Sequence, residues 1–195
     1  MFEKPNRILF IDTETGGLDY EVHDLLTIGL VAWEDGVVKG ELELKISKPE
    51  YVVTEEALKV NGLNLDQLRL EGTDKETTVK LIAEFVRKHF GSKPAVIAGH
   101  NVHFDIAFLK KLFKNTIYKY DAYFSHRVLD TMCLLRFLFL AGLIPELGKL
   151  DQAIEFFGII TPEELRHTAL EDTKITVKVF DALLGMVTKN SEKRD

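Results

Sequence analysis

The stretch that decides the fold is Phe10-Ile11-Asp12-Thr13-Glu14-Thr15-Gly16-Gly17-Leu18, close to the start of the chain. An apolar run that begins at Ile8 leads into two acids one residue apart, and two glycines follow. A short, β-branched and partly aromatic run that ends in a glycine turn predicts a buried strand. Because residues i and i+2 of a strand point to the same face, Asp12 and Glu14 would bring two carboxylates into one small volume.

These two acids are a candidate metal site. Two carboxylates held this close repel each other unless they share a cation. Hard divalent cations such as Mg²⁺ and Mn²⁺ prefer oxygen ligands, so either ion would suit the pair. The alternative is that Asp12 and Glu14 are solvated turn residues, as most acids next to glycine are, and the stretch alone does not decide between the two.

The composition is that of a soluble globular protein. The chain has 195 residues, 46% hydrophobic and 29% charged, and we expect residues 1–195 to form a single domain with a short charged C-terminal tail. The single Cys133 excludes an internal disulfide and predicts a cytoplasmic location. Met1 to Pro5 show no secretory signal, and no apolar run is long enough to cross a bilayer, so we expect no membrane association.

The charge balance bears on the kind of partner. The net charge of −6 comes from 31 acids against 25 bases, which argues against binding nucleic acid through a large basic surface. It remains compatible with an enzyme whose acids are neutralised by bound metal. Four lysines, Lys110, Lys111, Lys114 and Lys119, follow one another closely in the sequence. They could contact a nucleic-acid backbone, or they could form only a solvated face.

The rest of the sequence predicts an α/β fold. Apolar or alternating runs joined by short turns predict an antiparallel meander of strands at 8–11, 25–33 and 37–46. Two further short strands, 95–98 and 128–129, alternate with helices. This order predicts a mixed five-stranded sheet flanked by helices.

Residues that can cap a helix precede most of the predicted helices: Thr54, Asn64, Thr73, Asn101, Asp130 and Thr168. Thr73 and Thr168 each stand three residues before a glutamate, which is the capping-box pattern. Asp130 is therefore predicted to be a cap rather than a metal ligand.

Three more polar residues are predicted near the first two acids. Asp105 begins the helix after the fourth strand, Asp172 lies one turn into the last helix, and His167 stands just before that helix. Ligands of open α/β sheets bind at the carboxyl ends of strands, so Asp105 would meet Asp12 and Glu14 if the fourth strand lies parallel beside the first. Asp172 would join them if the last helix packs across that end.

Four carboxylates and one histidine around a cleft suit two metal ions, an arrangement typical of phosphoryl transfer, with the histidine as general base. Each residue also has a plain structural alternative. Asp105 and Asp172 could be first-turn acids favoured by the helix dipole, and His167 could be an ordinary residue before a cap.

Three motifs resemble those of the DEDDh 3′→5′ exonucleases: Asp12 to Leu18, Asn101-Val102-His103-Phe104-Asp105, and His167 to Asp172 in the pattern H-x-x-x-x-D. Their order and spacing also match, and the similarity covers about residues 7–187. The sequence most resembles the proofreading (epsilon) subunit of bacterial DNA polymerase III and its stand-alone relatives. The resemblance implies a ribonuclease H-like fold, two divalent cations, Mg²⁺ or Mn²⁺, and release of nucleoside 5′-monophosphates from a 3′ end.

The resemblance also implies roles for nine residues. The metal ligands would be the four acids, Asp12, Glu14, Asp105 and Asp172, and the general base would be His167. The terminal nucleotide would be contacted by Thr13, Thr15, Leu18 and Phe104. Leu18 would wedge against the terminal base and Phe104 would pack under the sugar or base, whereas the plain alternatives are an exposed loop residue and a core residue.

We therefore expect a metal-dependent 3′→5′ exonuclease that acts on single-stranded 3′ ends. The pattern of Thr13, Thr15 and the double glycine favours DNA, and a proofreading role in replication or repair, over RNA. The alternatives are an RNA-trimming exoribonuclease of the same family and a non-catalytic module that binds nucleic acid or a polymerase. A DNA polymerase is the protein partner that the resemblance suggests, although the chain ends soon after its last predicted helix, without the polymerase-binding tail of the proofreading subunit.

Overall fold

The computed structural model describes residues 6–161 and 168–192. Met1 to Pro5, His167 and the last three residues of the predicted charged tail lie outside these ranges. The strands are β1 (Arg7–Thr15), β2 (Leu25–Glu34), β3 (Val37–Lys45), β4 (Ala95–Gly99) and β5 (Phe124–Asp130). The helices of the described ranges are α1 (Glu55–Asn61), α2 (Leu65–Glu71), α3 (Lys75–Phe90), α4 (His103–Phe113), α5 (Tyr120–Tyr123), α6 (Thr131–Leu140), α7 (Leu150–Phe157) and α8 (Ala169–Glu192).

The five strands form one mixed sheet in the order β3-β2-β1-β4-β5. β1, β2 and β3 pair antiparallel, whereas β4 runs parallel to β1 and β5 runs parallel to β4. The turn between β2 and β3 is built by Asp35 and Gly36, whose φ angles of 48° and 86° suit a tight hairpin. The predicted meander and the mixed five-stranded sheet are both confirmed.

The two faces of β1 pack against different helices. Leu9 and Ile11 belong to the core that α3 and α4 complete. Ile8 and Phe10 point to the other face, where Phe10 contacts Phe180 of α8 with ring centroids 5.3 Å apart. Side chains alternate along a strand, so the residues that follow in β1 are divided between the same two faces.

The first turn of α8 rests directly on the sheet at Gly29. This glycine is the cross-strand partner of Asp12 in the β1–β2 pairing. A Cβ atom on it would lie 2.3 Å from the carbonyl oxygen of Ala169 and 2.5 Å from the Cα of Leu170. The hydroxyl of Thr173 also donates to the Gly29 carbonyl, at 3.2 Å. Because Gly29 has no side chain, the start of α8 can approach β1 closely at this position.

Most of the predicted caps are confirmed. Thr54 Oγ1 accepts from the amide of Ala57, and Asn64 Oδ1 accepts from Asp66 and Gln67. Asp130 caps α6, and Thr168 Oγ1 accepts from the amide of Glu171 at 3.4 Å in the first turn of α8. No helix within the described ranges has the length and apolar character needed to cross a membrane.

Two caps were predicted at the wrong residue. The cap of α3 is Asp74, which accepts from Glu76 and Thr77, whereas Thr73 pairs with Ile46 in an isolated bridge. Asn101 does not cap α4, because its φ of 60° places it in the left-handed region and the helix begins at His103 without a side-chain cap. In the first case the cap is the next residue along the chain, because Thr73 is engaged in the bridge. In the second case a distant carboxylate, described below, accepts the amides at the helix start.

Candidate active site

Three carboxylates meet where β1 ends. Asp12 and Glu14 extend from β1 to the face covered by α8, and Asp172 extends from the first turns of α8 toward them. One oxygen of each carboxylate lies within 4.8 Å of the corresponding oxygens of the other two. Gly29 allows α8 to pack closely on the sheet beside Asp12, and Asp172 on α8 therefore comes close to Asp12 and Glu14.

The fourth acid, Asp105, lies near this cluster and is held by a residue on the opposite face of β1. Asp105 lies in the first turn of α4, is only 4% exposed, and follows β4, which runs parallel beside β1. Its Oδ1 accepts a hydrogen bond of 2.6 Å from the hydroxyl of Thr13. Thr13 points away from Asp12 and Glu14, so the strand orients acids on both of its faces.

The pKa values show the electrostatic cost of bringing these acids together. Burial, followed by the charges of Asp105, Asp172 and Glu14, holds the pKa of Asp12 well above its usual range. Burial and the charges of Asp172 and Asp105 raise the pKa of Glu14 to about 8. Burial also raises the pKa of Asp105 to about 7, although the hydrogen bond from Thr13 opposes that rise. A bound cation would relieve this repulsion, and carboxylate oxygens are the donors that hard divalent cations prefer.

The structure thus brings Asp12, Glu14 and Asp172 together and places Asp105 near enough for its charge to act on Asp12 and Glu14. The assignment of the four acids as metal ligands stays a prediction. The predicted general base, His167, lies outside the described residues. The first described residue after it is Thr168, and α8 begins one residue later.

The four predicted nucleotide contacts divide into two pairs. Leu18 is 87% exposed on the loop after β1, and Phe104 is half-buried, with its ring centroid 5.1 Å from that of Phe108. Thr13 and Thr15 are buried instead, and their hydroxyls donate to Asp105 and to the carbonyl of Gly17. Leu18 and Phe104 have surface available to a ligand, whereas the threonine side chains are already engaged within the protein.

Hydrogen bonds that the sequence did not reveal hold the loop after β1. The ammonium of Lys111, on α4, donates to the carbonyls of Glu21 and His23 at 3.1 and 3.0 Å. The buried side chain of Asn61 donates to the carbonyl of Thr15 at 3.3 Å. The loop that carries Leu18 is therefore anchored from two sides, and the only signal for Lys111 was its place in a lysine-rich stretch.

Asp130 fixes the start of α4 as well as that of α6. Its carboxylate accepts from the amides of Asn101 and Val102 at 3.0 and 3.1 Å, and from Met132 at 2.9 Å. These bonds connect the turn after β4 to the end of β5. Asp130 is a cap, as predicted, and it also supports the helix turn that presents Asp105.

Known proteins that are similar to this chain indicate its family and its fold. The sequence profile of the family RNase_T, described as Exonuclease, matches residues 9–180. The chain is 27% identical over 179 residues to a DNA polymerase III PolC-type of Thermotoga petrophila, with 92% of this chain aligned to 12% of that protein. It is 31% identical over 186 residues to a Ribonuclease T of Blochmanniella pennsylvanica, with 90% of this chain aligned to 82% of that protein.

A third relative and two solved structures extend the comparison. The chain is 33% identical over 176 residues to a DNA polymerase III subunit epsilon-like protein of Rhodobacter capsulatus, covering 89% of this chain and 23% of that one. A structure of exonuclease I superimposes with a TM-score of 0.77 over 93% of this chain and 41% of that one, at 19% identity. E. coli exonuclease I in complex with a dT13 oligonucleotide gives 0.75 over 92% and 41%, at 18% identity. These likenesses confirm the ribonuclease H-like fold that was predicted.

Proposed function

Because the chain belongs to the RNase_T exonuclease family, we propose that it is a metal-dependent 3′→5′ exonuclease that shortens single strands by one nucleotide at a time. The observation that carries the proposal is the cluster of Asp12, Glu14 and Asp172 oxygens within 4.8 Å of one another. Asp105 stands beside this cluster and raises the pKa of its members. Ionised carboxylates that are buried close together repel one another, and a bound cation removes that cost.

Two divalent cations, Mg²⁺ or Mn²⁺, are the cofactors that we propose. Asp12, Glu14 and Asp172 would hold them together with Asp105, since all four offer hard oxygen donors. When bound, such ions lower the pKa of a water molecule and stabilise the oxygen that leaves the phosphodiester. The protein's own contribution begins with Thr13, which orients the Asp105 carboxylate by its hydrogen bond.

The terminal nucleotide would lie between the acid cluster and the loop after β1. Leu18, exposed on that loop, would separate the terminal base from the next one, and half-buried Phe104 would support the sugar or base. The backbone of Thr13 and Thr15 would border the same nucleotide. His167 would take the proton of the attacking water, since it stands five residues before Asp172 in the sequence.

We propose single-stranded DNA as the substrate. The Rhodobacter capsulatus relative, at 33% identity, is named for the epsilon subunit of DNA polymerase III. The second candidate is RNA trimming, favoured by the Ribonuclease T relative, whose length the chain covers to 82%. Both candidates use the same acids and differ in how the site treats a 2′-hydroxyl.

The test uses 5′-labelled DNA and RNA single strands of the same sequence, incubated with Mg²⁺, Mn²⁺ or a chelator. We expect shortening from the 3′ end, release of nucleoside 5′-monophosphates, faster reaction on DNA, and no reaction with the chelator. Asp12→Asn should be inactive, whereas the exposed Glu43→Gln variant, which changes the charge equally, should retain full activity. If neither metal yields a mononucleotide from either strand, the chain is a non-catalytic module and the proposal is wrong.

A role in proofreading for a DNA polymerase is the most specific part of the proposal. It is supported by two relatives named for DNA polymerase III, although the chain spans only 12% and 23% of their lengths. A mismatched primer end frays into a single strand, so the chain should remove a mismatched 3′ nucleotide faster than a paired one. Equal rates on both primer ends would contradict proofreading without affecting the exonuclease assignment. A cytoplasmic location stays a prediction, as does a single domain over residues 1–195.

A further inference from the structure

A groove of about 950 Å³ runs along α4. One wall is the loop after β1, at Tyr20 and Glu21, and the other is the segment that links α4 to α5. His103, two residues before Asp105, lines it as well. Tyr20 is two residues from Leu18 and His103 two residues from Asp105, so this end of the groove is next to the candidate site along the chain.

The charges around the groove are unusual for this chain. Four lysines line it, Lys110, Lys111, Lys114 and Lys119, and Glu21 is the one carboxylate among its lining residues. Elsewhere several lysines pair with acids, as Lys45 does with Glu71 and Lys174 with Glu41. Within residues 6–161 and 168–192, none of the four groove lysines forms an ion pair. In a protein of net charge −6, this is a local concentration of unpaired positive charge.

Three of the four ammonium groups are available to a ligand. Lys111 is engaged, because it donates to the backbone of the loop after β1. Lys110, Lys114 and Lys119 are exposed, and the ammonium of Lys110 lies 5.4 Å from the centre of the Tyr120 ring. Positive charge interleaved with aromatic rings is the pattern of surfaces that bind single-stranded nucleic acid by its phosphates and bases.

The distance from the acids sets which part of a strand could reach these lysines. Asp105 and Lys110 lie on α4, and Lys114 follows its last residue, Phe113. At a rise of about 1.5 Å per residue, the helix extends roughly 12 Å from Asp105 to its end beside Lys114. That length corresponds to at most about four nucleotides at the roughly 3.4 Å rise of stacked DNA. The lysines would therefore contact phosphates a few nucleotides away from the bond that is cleaved.

We propose that this groove binds the phosphates of the single strand on the 5′ side of the terminal nucleotide, through Lys110, Lys114 and Lys119. The proposal rests on the proposed exonuclease function, because the strand enters the groove from the acid cluster. Long strands would gain affinity from the groove, whereas a dinucleotide is too short to reach it. The groove thus gives an acidic protein a local site for a polyanion.

The test compares the triple variant Lys110→Ala, Lys114→Ala, Lys119→Ala with a control of the same charge. The control replaces Lys39, Lys88 and Lys93 by alanine, three exposed lysines near the opposite end of the sheet. Binding of a labelled thymidine strand of about 12 nucleotides is measured in chelator at several salt concentrations. Hydrolysis with Mg²⁺ is then measured on that strand and on a thymidine dinucleotide.

We expect the groove variant to bind the long strand roughly tenfold more weakly. The slope of log affinity against log salt should fall by about 2, which is about 0.7 for each lost contact. The ratio of kcat/KM on the long strand to that on the dinucleotide should fall by a similar factor. The control should match the wild type in all three measurements.

Three outcomes would overturn the proposal: unchanged affinity and salt slope in the groove variant, an unchanged length ratio, or an equal loss in the control. If the wild type cleaves both substrates and the groove variant behaves identically, the groove proposal fails while the exonuclease proposal stands. If the wild type cleaves neither substrate but the groove variant binds the long strand more weakly, the exonuclease proposal fails while the groove proposal stands.

Discussion

Carboxylates surround the first turn of α4 and lysines stand at its last turn, and the two groups are built by opposite means. Asp105, in the first turn of α4, has its pKa raised by burial, and Asp12 and Glu14 nearby have theirs raised by burial and by the charges of the neighbouring acids. Lys110 and Lys114, at the other end, are exposed and without ion pairs among the described residues. Each charge is placed at the helix end that its sign favours.

The difference separates chemistry from strand binding. The cluster requires core packing to hold like charges together, so it destabilises the fold while metal is absent. The groove uses solvated lysines that destabilise little. Changes in the cluster should therefore abolish turnover and stabilise the metal-free protein, whereas changes in the groove should weaken binding of long strands with little effect on stability.

Asp12→Asn is the strongest test of the division between the acids, which carry the chemistry, and the lysines, which bind the strand. We expect turnover on single-stranded DNA to fall at least about 1,000-fold, because a metal ligand is lost. The melting temperature in chelator should rise, because one repelled carboxylate is removed. Steady-state rates and thermal melts would check both effects, and near-wild-type turnover would refute the site assignment.

Gly29→Ala tests whether packing alone positions the cluster. The new Cβ would collide with the backbone of Ala169 and Leu170 and push the start of α8 away from β1. A displacement of about 1 Å in the site should reduce kcat roughly 100-fold, with a loss of about 1–3 kcal/mol in the free energy of unfolding. Gly185→Ala is the matched control, because nothing lies within 4 Å of its added Cβ, and it should retain activity. Full activity in Gly29→Ala would show that Asp172 does not depend on this contact.

Thr13→Val removes the hydrogen bond to Asp105 and keeps the shape of the side chain. That bond favours the ionised carboxylate, so its loss should raise the pKa of Asp105 further and weaken Mg²⁺ binding roughly tenfold. Thr13→Ser retains the hydroxyl and should behave like the wild type. Calorimetric titration of Mg²⁺ measures the effect, and equal affinities in the two variants would exclude this role of Thr13.

The smallest expected effect is a pH dependence of stability. The folded-state pKa values of Glu14 and Asp105, about 8 and about 7, lie above their ordinary values, so the folded protein binds more protons than the unfolded one. In chelator, the melting temperature should therefore fall as the pH rises from about 6 to about 8.5. Mg²⁺ binds the ionised acids, so it should raise the melting temperature more at the higher pH, by on the order of 5 °C. A pH-independent effect of Mg²⁺ would contradict the shifted pKa values.

Local sequence patterns predicted the parts of the site that depend on local geometry. The period of a strand places Asp12 and Glu14 on one face. Asp105 comes to the same end because β4 lies parallel beside β1, which was the condition on which its prediction rested. The caps at Thr54 and Asn64 follow from hydrogen bonds within three residues.

The missed features depend on distant parts of the chain. Asn101 does not act as a cap, because the carboxylate of Asp130, 29 residues away, accepts the hydrogen bond from its backbone amide. The role of Gly29 could not be predicted, because its contact with the start of α8 joins residues about 140 positions apart in the sequence. The sequence could not show that the lysine stretch lines a groove, because the facing wall is the loop after β1, far away in the sequence.

The double capping role of Asp130 would affect the result of any mutagenesis survey that replaces each acid of this protein by its amide. Its two oxygens accept from three backbone amides at the starts of two helices, and an asparagine side chain would present a donor to one of them. Such a variant would lose activity and so be grouped with the metal ligands in an activity screen alone. Heat tolerance would separate the two classes, because replacing a crowded ligand should raise it and replacing the shared cap should lower it.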